Sequence, residues 1–189
     1  MADGAAKSQQ VVFEQTVEGL LRAIRPRMTP KCKARLKEAG LDVDSALLPA
    51  YAFETWMNLL LVSSQEIWPD EPRELAMFHL GEAFIDGYRE TFLGRAVLGV
   101  IRVIGPKRAL HRSSRSFRSG NNYTDAKVTD TSPASLELWM NEVGPYPSFT
   151  QGLIEAALRA SGVVPKVQIK DHDGHACIYV CTWTITRST

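Results

Sequence analysis

The chain has 189 residues, enough to bury the core of one domain without disulfide or metal support. Hydrophobic residues make up 44% and charged residues 23%, which excludes a disordered chain, and no apolar run approaches the roughly 18 residues that a membrane span needs. The net charge of +1 removes any overall attraction to nucleic acid or acidic lipid, so a charged partner would have to be met by a local patch.

The start, MADGAAKSQQ, carries no apolar segment of the kind that directs secretion, and three cysteines cannot all pair. Both features predict a cytoplasmic protein with reduced thiols. The sequon Asn122-Tyr123-Thr124 would then meet no glycosylation enzyme.

After Phe13, the apolar residues Val17, Leu20, Leu21 and Ile24 recur at three- and four-residue steps, which predicts a helix ended by Pro26. Thr29 caps and Pro30 opens a second, short helix, with Gly40 just past its end and Lys31, Lys33, Arg35 and Lys37 on its exposed face. A third helix is predicted from about Glu54 to Ile67. A fourth is predicted from Pro72 to about Phe92, buried through Leu75, Phe78, Phe84, Tyr88 and Phe92. The run GRAVLGVIRVIG, residues 94–105, is apolar on nearly all sides. Such a helix is expected to be enclosed by others, with Gly94 and Gly99 admitting close neighbours.

From about residue 115 the hydrophobic period changes to two. The stretch RSFRSGNNYT, residues 115–124, stands at that change and reads either as an anion-holding loop or as the lead-in to a sheet. The second reading is preferred because a strand, not a helix, follows the glycine; Phe117 then plugs the core while Asn121 and Asn122 shape the turn. Ala126 and Val128 alternate with polar neighbours, Thr131-Ser132-Pro133 breaks the chain, and Leu136, Leu138 and Met140 alternate with Glu137, Trp139 and Asn141. This is a hairpin with one buried face. Ser148-Phe149-Thr150-Gln151 has the capping-box pattern, predicting a helix to about Ser161 closed by Gly162. A strand through Val167 and Ile169, the turn HDGH, and a strand from Cys177 to Ile185 complete the order β-β-α-β-β. The predicted fold is α+β: a helical part, residues 1–112, of about five helices, packed on a C-terminal four-stranded antiparallel sheet with one helix, residues 113–189, the two forming a single integrated domain.

Phe84-Ile85, Gly94-Arg95-Ala96-Val97-Leu98, Gly105, Arg115-Ser116-Phe117-Arg118, Leu136-Glu137-Leu138, Gly152-Leu153-Ile154 and Val167-Gln168-Ile169 occur in an order that resembles the haem-nitric-oxide-binding sensor domains and their 4-vinyl-reductase-type relatives, over about 72–184. Phe13-Glu14-Gln15-Thr16, Leu48-Pro49-Ala50-Tyr51, Gly81-Glu82-Ala83-Phe84, Gly120-Asn121-Asn122-Tyr123 and Leu138-Trp139-Met140-Asn141-Glu142 are similar to a paralogous family of domains of unknown function abundant in myxobacteria, and that likeness spans nearly the whole chain. The first resemblance implies a ligand-sensing fold. Haem needs an axial side chain and groups for its carboxylates. The resemblance puts the sensors' ligating histidine near Val100 to Val103, where this chain has none. It puts their Tyr-x-Ser-x-Arg motif on the second hairpin strand, where Leu138-Trp139-Met140-Asn141-Glu142 does not supply it. The expectation is a chain without haem.

The vinyl-reductase relatives carry a cysteine cluster near the final hairpin. Here His175, Cys177, Tyr179 and Cys181 share one face of a strand, and ligands so spaced splay too far apart for tetrahedral zinc. The thiols are therefore read as small apolar fillers, with no metal. No acid lies between Glu90 and Asp125, while Arg95, Arg102, Lys107, Arg108, Arg112, Arg115 and Arg118 are basic. The segment reads as a solvated connection whose arginines pair with acids of neighbouring helices. The alternative is anion or nucleic-acid binding, with Arg115 and Arg118 as the candidate anion-binding residues. Ser113, Ser114 and Ser116 near His111 lack an acid beyond the base, so no catalytic residue is assigned and no enzyme is expected.

The expected activity is haem-free sensing or regulation in signalling, with a small apolar ligand or acyl chain held between the helices and the sheet. Trp56, Phe84, Tyr88, Phe92 and Trp139 are the candidate ligand-binding residues, and plain packing accounts for the same aromatics. The alternative is a dimerisation or scaffold module without ligand. Expected partners are a small hydrophobic ligand and a second copy or a signalling protein; nucleic acid, membrane and cofactor are not expected.

Overall fold

A computed structural model describes residues 9–185. The elements run β1 (Val11–Phe13), α1 (Glu14–Ile24), α2 (Pro30–Glu38), β2 (Ala50–Ala52), α3 (Phe53–Ile67), α4 (Arg73–Arg89), α5 (Phe92–His111), α6 (Ser113–Arg118), β3 (Ala126–Ser132), β4 (Ser135–Met140), α7 (Pro147–Arg159), β5 (Val163–His172) and β6 (Cys177–Ile185). The α+β reading holds: helices precede a four-stranded antiparallel sheet of order β3-β4-β6-β5. Local chemistry places several boundaries. Thr29 Oγ1 accepts from the Cys32 N–H at 3.1 Å, Pro30 sits in the first turn of α2, and Gly40 takes φ 101° after its end. β1 and β2 form a separate antiparallel pair with Val12 opposite Tyr51. Three-residue strands are too short to show an alternation, so they leave no periodic signal.

The predicted fourth helix divides at Thr91. Its hydroxyl donates to Tyr88 O at 2.8 Å and accepts from Gly94 N at 2.9 Å, ending α4 and capping α5. Phe92 therefore opens the next helix and is 81% exposed, and Leu75 is also exposed, so neither belongs to the buried stripe. The buried side of α4 is Ala76, Met77, Leu80, Gly81, Phe84, Ile85 and Tyr88. Gly81 and Gly152 set its crossing with α7: a Cβ on Gly81 would overlap the Phe149 carbonyl, and one on Gly152 the Phe78 carbonyl. Backbone touches backbone there.

α5 is not enclosed, contrary to its composition. It buries Leu98 and half-buries Val97 and Ile101 against the helical core, while Phe92, Val100 and Val103 face outward. Gly94 does sit tightly against Tyr88, but Gly99 has open space where a side chain would go. At Gly105 the backbone leaves helical geometry (φ 79°, ψ 170°) just before Pro106, which kinks the element.

The sheet turns one face inward. Leu136, Leu138 and Met140 of β4 stand opposite Cys181, Tyr179 and Cys177 of β6, and Val167 of β5 stands opposite Cys181. All seven are buried, as the two-residue period requires. α7 covers them with Ile154 and Leu158, and Leu153 packs against both the helical and the sheet core. The capping box does not form. α7 begins at Pro147, one residue before Ser148, and Gln151 Nε2 instead donates to Val167 O at 2.8 Å, tying the helix to β5. Tertiary contact outcompetes the local cap. Gly162, at φ 81°, follows the helix as predicted. Among the described residues no helix is long and apolar enough to cross a membrane.

Away from this junction, α2 is fastened to α3 by Glu66. Its carboxylate, 7% exposed, lies 2.6 Å from Arg35 and 3.0 Å from Lys31. These hydrogen bonds, Arg35 first, hold the carboxyl below its ordinary range. A depressed folded value contributes stability that is present above the ordinary carboxyl value and lost as pH falls through the folded one. Urea midpoints measured downward from pH 6 should fall more steeply for the wild type than for Glu66→Gln; parallel curves would refute this role.

Candidate functional site

Where the helical layer meets the inner sheet face, the two surfaces leave a mainly apolar cavity of about 160 Å³. Its helical wall is aromatic. Trp56 of α3 meets Phe84 of α4 and Phe149 of α7 edge-on, at ring separations of 6.3 and 6.1 Å, and Phe84 stacks on Tyr88 at 5.6 Å. Leu138 and Met140 form the sheet wall, and Leu98 and Ile101 of α5 close one side. Rings constrained by one another at these distances cannot collapse to fill the space, and the residual volume persists.

The rest of the boundary is the 113–124 segment. Residues 113–118 are helical, not extended, and the turn after α6 is built as its asparagines suggested: Asn121 Oδ1 accepts from the N–H groups of Tyr123 and Thr124 at 3.1 and 2.8 Å. β1 and the first turn of α1 hold this segment in place. Phe13 N donates to Gly120 O at 2.9 Å, Val11 N to Asn122 Oδ1 at 2.9 Å, and Thr16 Oγ1 to Gly120 O at 3.0 Å. Phe117 lines the cavity from α6.

One ionisable acid reaches the wall. Glu142 accepts from Gly144 N at 3.0 Å and pairs with His175 Nδ1 at 3.1 Å, and its side chain is 11% exposed. The neighbouring phenol of Tyr123 is pushed up by burial and by this carboxylate, and that of Tyr88 by burial, so both stay protonated near neutrality.

Of the residues singled out from the sequence, Trp56, Phe84 and Tyr88 converge on the cavity. Phe92 and Trp139 do not. Phe92 faces outward on α5, and Trp139 lies half-buried on the outer sheet face, opposite Ile178, with the Lys127 ammonium 5.1 Å from its ring centroid. Arg115 and Arg118 are not brought together around an anion site: Arg115 is exposed, while Arg118 bonds Asp125 and Asn122 O, each at 2.9 Å. The acids that answer the basic segment come from the sheet side, not from helices. Asp125 takes Arg118, and Asp130 takes Lys107 and His111, both at 2.9 Å. No hydrogen bond joins His111 to Ser113, Ser114 or Ser116 among the described residues.

The cysteines are buried and free. Burial pushes the thiols of Cys177 and Cys181 up to about 11 and about 12, so both are protonated near neutrality. Sequence reasoning missed Phe149, Leu138, Ser113, Thr124 and Glu142 as cavity wall, because elements distant in the chain bring them together. Only the aromatic recurrence in α3 and α4 gave any signal.

No curated protein matches the chain. Among solved structures it is similar to the Fe(II) unliganded H-NOX protein from K. algicida, at 13% identity and a TM-score of 0.66 over 93% of this chain and 97% of that one. A point variant of T. Tengcongensis H-NOX gives 12% identity and 0.65 over 89% and 95%. An oxygen-binding H-NOX domain related to soluble guanylate cyclases, in its oxygen complex, gives 13% and 0.65 over 89% and 93%. At these identities the likeness is one of fold. Residues 10–184 match the family described as "Protein of unknown function (DUF2378)", and the chain belongs to that family.

Proposed function

We propose that this protein is a haem-free, non-enzymatic sensing or regulatory domain that takes a small, largely apolar guest between its helical layer and its sheet. The observation that carries this reading is the cavity of about 160 Å³ walled by Trp56, Phe84, Tyr88, Phe149, Leu138 and Met140. An engineered cavity of about 150 Å³ accepts benzene, so the guest is of that size, or is the end of an acyl chain. The fold likeness to H-NOX domains supports a sensor role.

The residues present do not fit haem. Among the described residues the wall contains no histidine or cysteine; its methionines and tyrosines are the only side chains there of the types that serve as axial ligands of haem iron. Burial keeps the tyrosine phenols protonated, which disfavours iron binding as phenolate. No lysine or arginine lines the wall to meet the carboxylates of a porphyrin. The non-enzymatic part of the reading rests on thiols that are almost wholly protonated and on a His111 engaged with Asp130 rather than with a serine.

Native mass spectrometry of the purified protein, before and after organic extraction, tests the reading. A small adduct that extraction removes, and that Ala157→Phe excludes by filling the cavity from α7, is the expected result. Porphyrin absorbance, or the absence of any adduct together with no uptake of added aromatic probes, would overturn it.

A further inference from the structure

We infer that the guest is an uncharged amphiphile: an apolar body of about benzene size carrying one hydrogen-bonding group, an alcohol or a carbonyl, that docks on the hydroxyls of Ser113 and Thr124. The inference rests on the cavity being a binding site and names the chemistry of what it binds.

Ser113 is 7% and Thr124 2% exposed, and both line the cavity. Neither hydroxyl has a hydrogen-bond partner among the described residues. Of the other hydroxyls at this wall, Thr16 bonds Gly120 O and Ser116 bonds Arg112 O, while Thr150 and the phenols of Tyr88 and Tyr123 add polar atoms to the same wall. A buried hydroxyl without a partner is costly, and native proteins satisfy nearly all of them. Ser113 and Thr124 are not sealed into apolar packing as Ser63 Oγ is; their hydroxyls remain reachable, and the cavity is the space they adjoin. Both lie on the 113–124 segment, whose Gly120 and Asn122 bond β1, and they add hydroxyls to a wall that is largely aromatic and aliphatic.

The charge of the wall sets the other limit. Glu142 is its one charged residue among those described, and both its oxygens are engaged, with Gly144 N and His175. An anionic guest would lose its hydration without gaining a cation and would face this carboxylate. A cationic guest would lose its hydration for a single carboxylate that already accepts from Gly144 N and meets His175. A neutral polar group meets two hydroxyls that both donate and accept.

Four monosubstituted benzenes of similar size separate the possibilities by isothermal titration and by shifts of aromatic NMR resonances: toluene, benzyl alcohol, benzoate and benzylamine. Benzyl alcohol should bind about two- to tenfold more tightly than toluene, the span of one net hydrogen bond. Benzoate and benzylamine should not bind. In Ser113→Ala/Thr124→Val the two neutral probes should become equal. Toluene binding as well as benzyl alcohol in the wild type would overturn this inference and leave the sensor reading standing, as would preferred binding of either ion. Failure of all four probes would overturn both. The wild-type ranking decides even where the double variant does not fold.

Discussion

Gly152→Val is expected to leave little folded protein. A Cβ at Gly152 would overlap the carbonyl carbon and oxygen of Phe78, and the facing Gly81 is as tightly placed against Phe149 O and Leu153 N. Overpacking that displaces side chains costs about 1–3 kcal/mol, and here the obstacle is backbone, which cannot rotate away. α4 and α7 would have to separate, opening the contacts of Phe149 and Leu153 with the helical core. A cost above about 3 kcal/mol removes much of the stability of an ordinary domain. Urea unfolding followed by far-UV circular dichroism measures it, with Gly152→Ala as a smaller step in the same direction. A Gly152→Val midpoint equal to that of the wild type would show that the two helices do not cross here.

The second large effect is expected from Leu138→Ala. Leu138 is fully buried, stands opposite Tyr179 and contributes to the cavity wall, so truncation removes packing and enlarges the space beside it. Leucine-to-alanine changes in cores cost about 2–5 kcal/mol, rising with the volume left empty. The upper half of that range is expected, because Tyr179 is held by its hydroxyl bond to Pro147 O at 3.0 Å and cannot move in to fill the gap. The same variant should admit a two-ring probe such as naphthalene that the wild type rejects. Leu138→Ala unfolding within about 1 kcal/mol of the wild type would mean that the wall collapses, and the enlarged guest would then not bind.

Where local chemistry decides, the sequence was a sufficient guide. Thr29-Pro30 and Gly40 delimit α2, Gly162 follows α7, and the alternation of Leu136, Leu138 and Met140 identifies the inner face of β4. Each depends on a side chain's own conformational limits or on a period fixed by backbone geometry. Three expectations failed for one shared reason. Composition made residues 94–105 an enclosed helix, yet α5 has neighbours on one side only. Periodicity carried the fourth helix to Phe92, yet Thr91 ends it. Ser148 and Gln151 had the pattern of a cap, yet Gln151 bonds β5. In each, a contact or a helix end not specified by hydrophobic pattern prevailed.

The amino-acid sequence alone determined the class of fold and the order β-β-α-β-β of the C-terminal half, because such properties are written in neighbouring residues. The cavity was decided only by tertiary structure. Trp56, Phe84, Ser113, Thr124, Leu138 and Phe149 lie far apart along the chain, and they become one wall when α4 crosses α7 at Gly81 and Gly152 and β1 pins the 113–124 segment. A space between elements has no local signature, since its size depends on how closely their backbones approach.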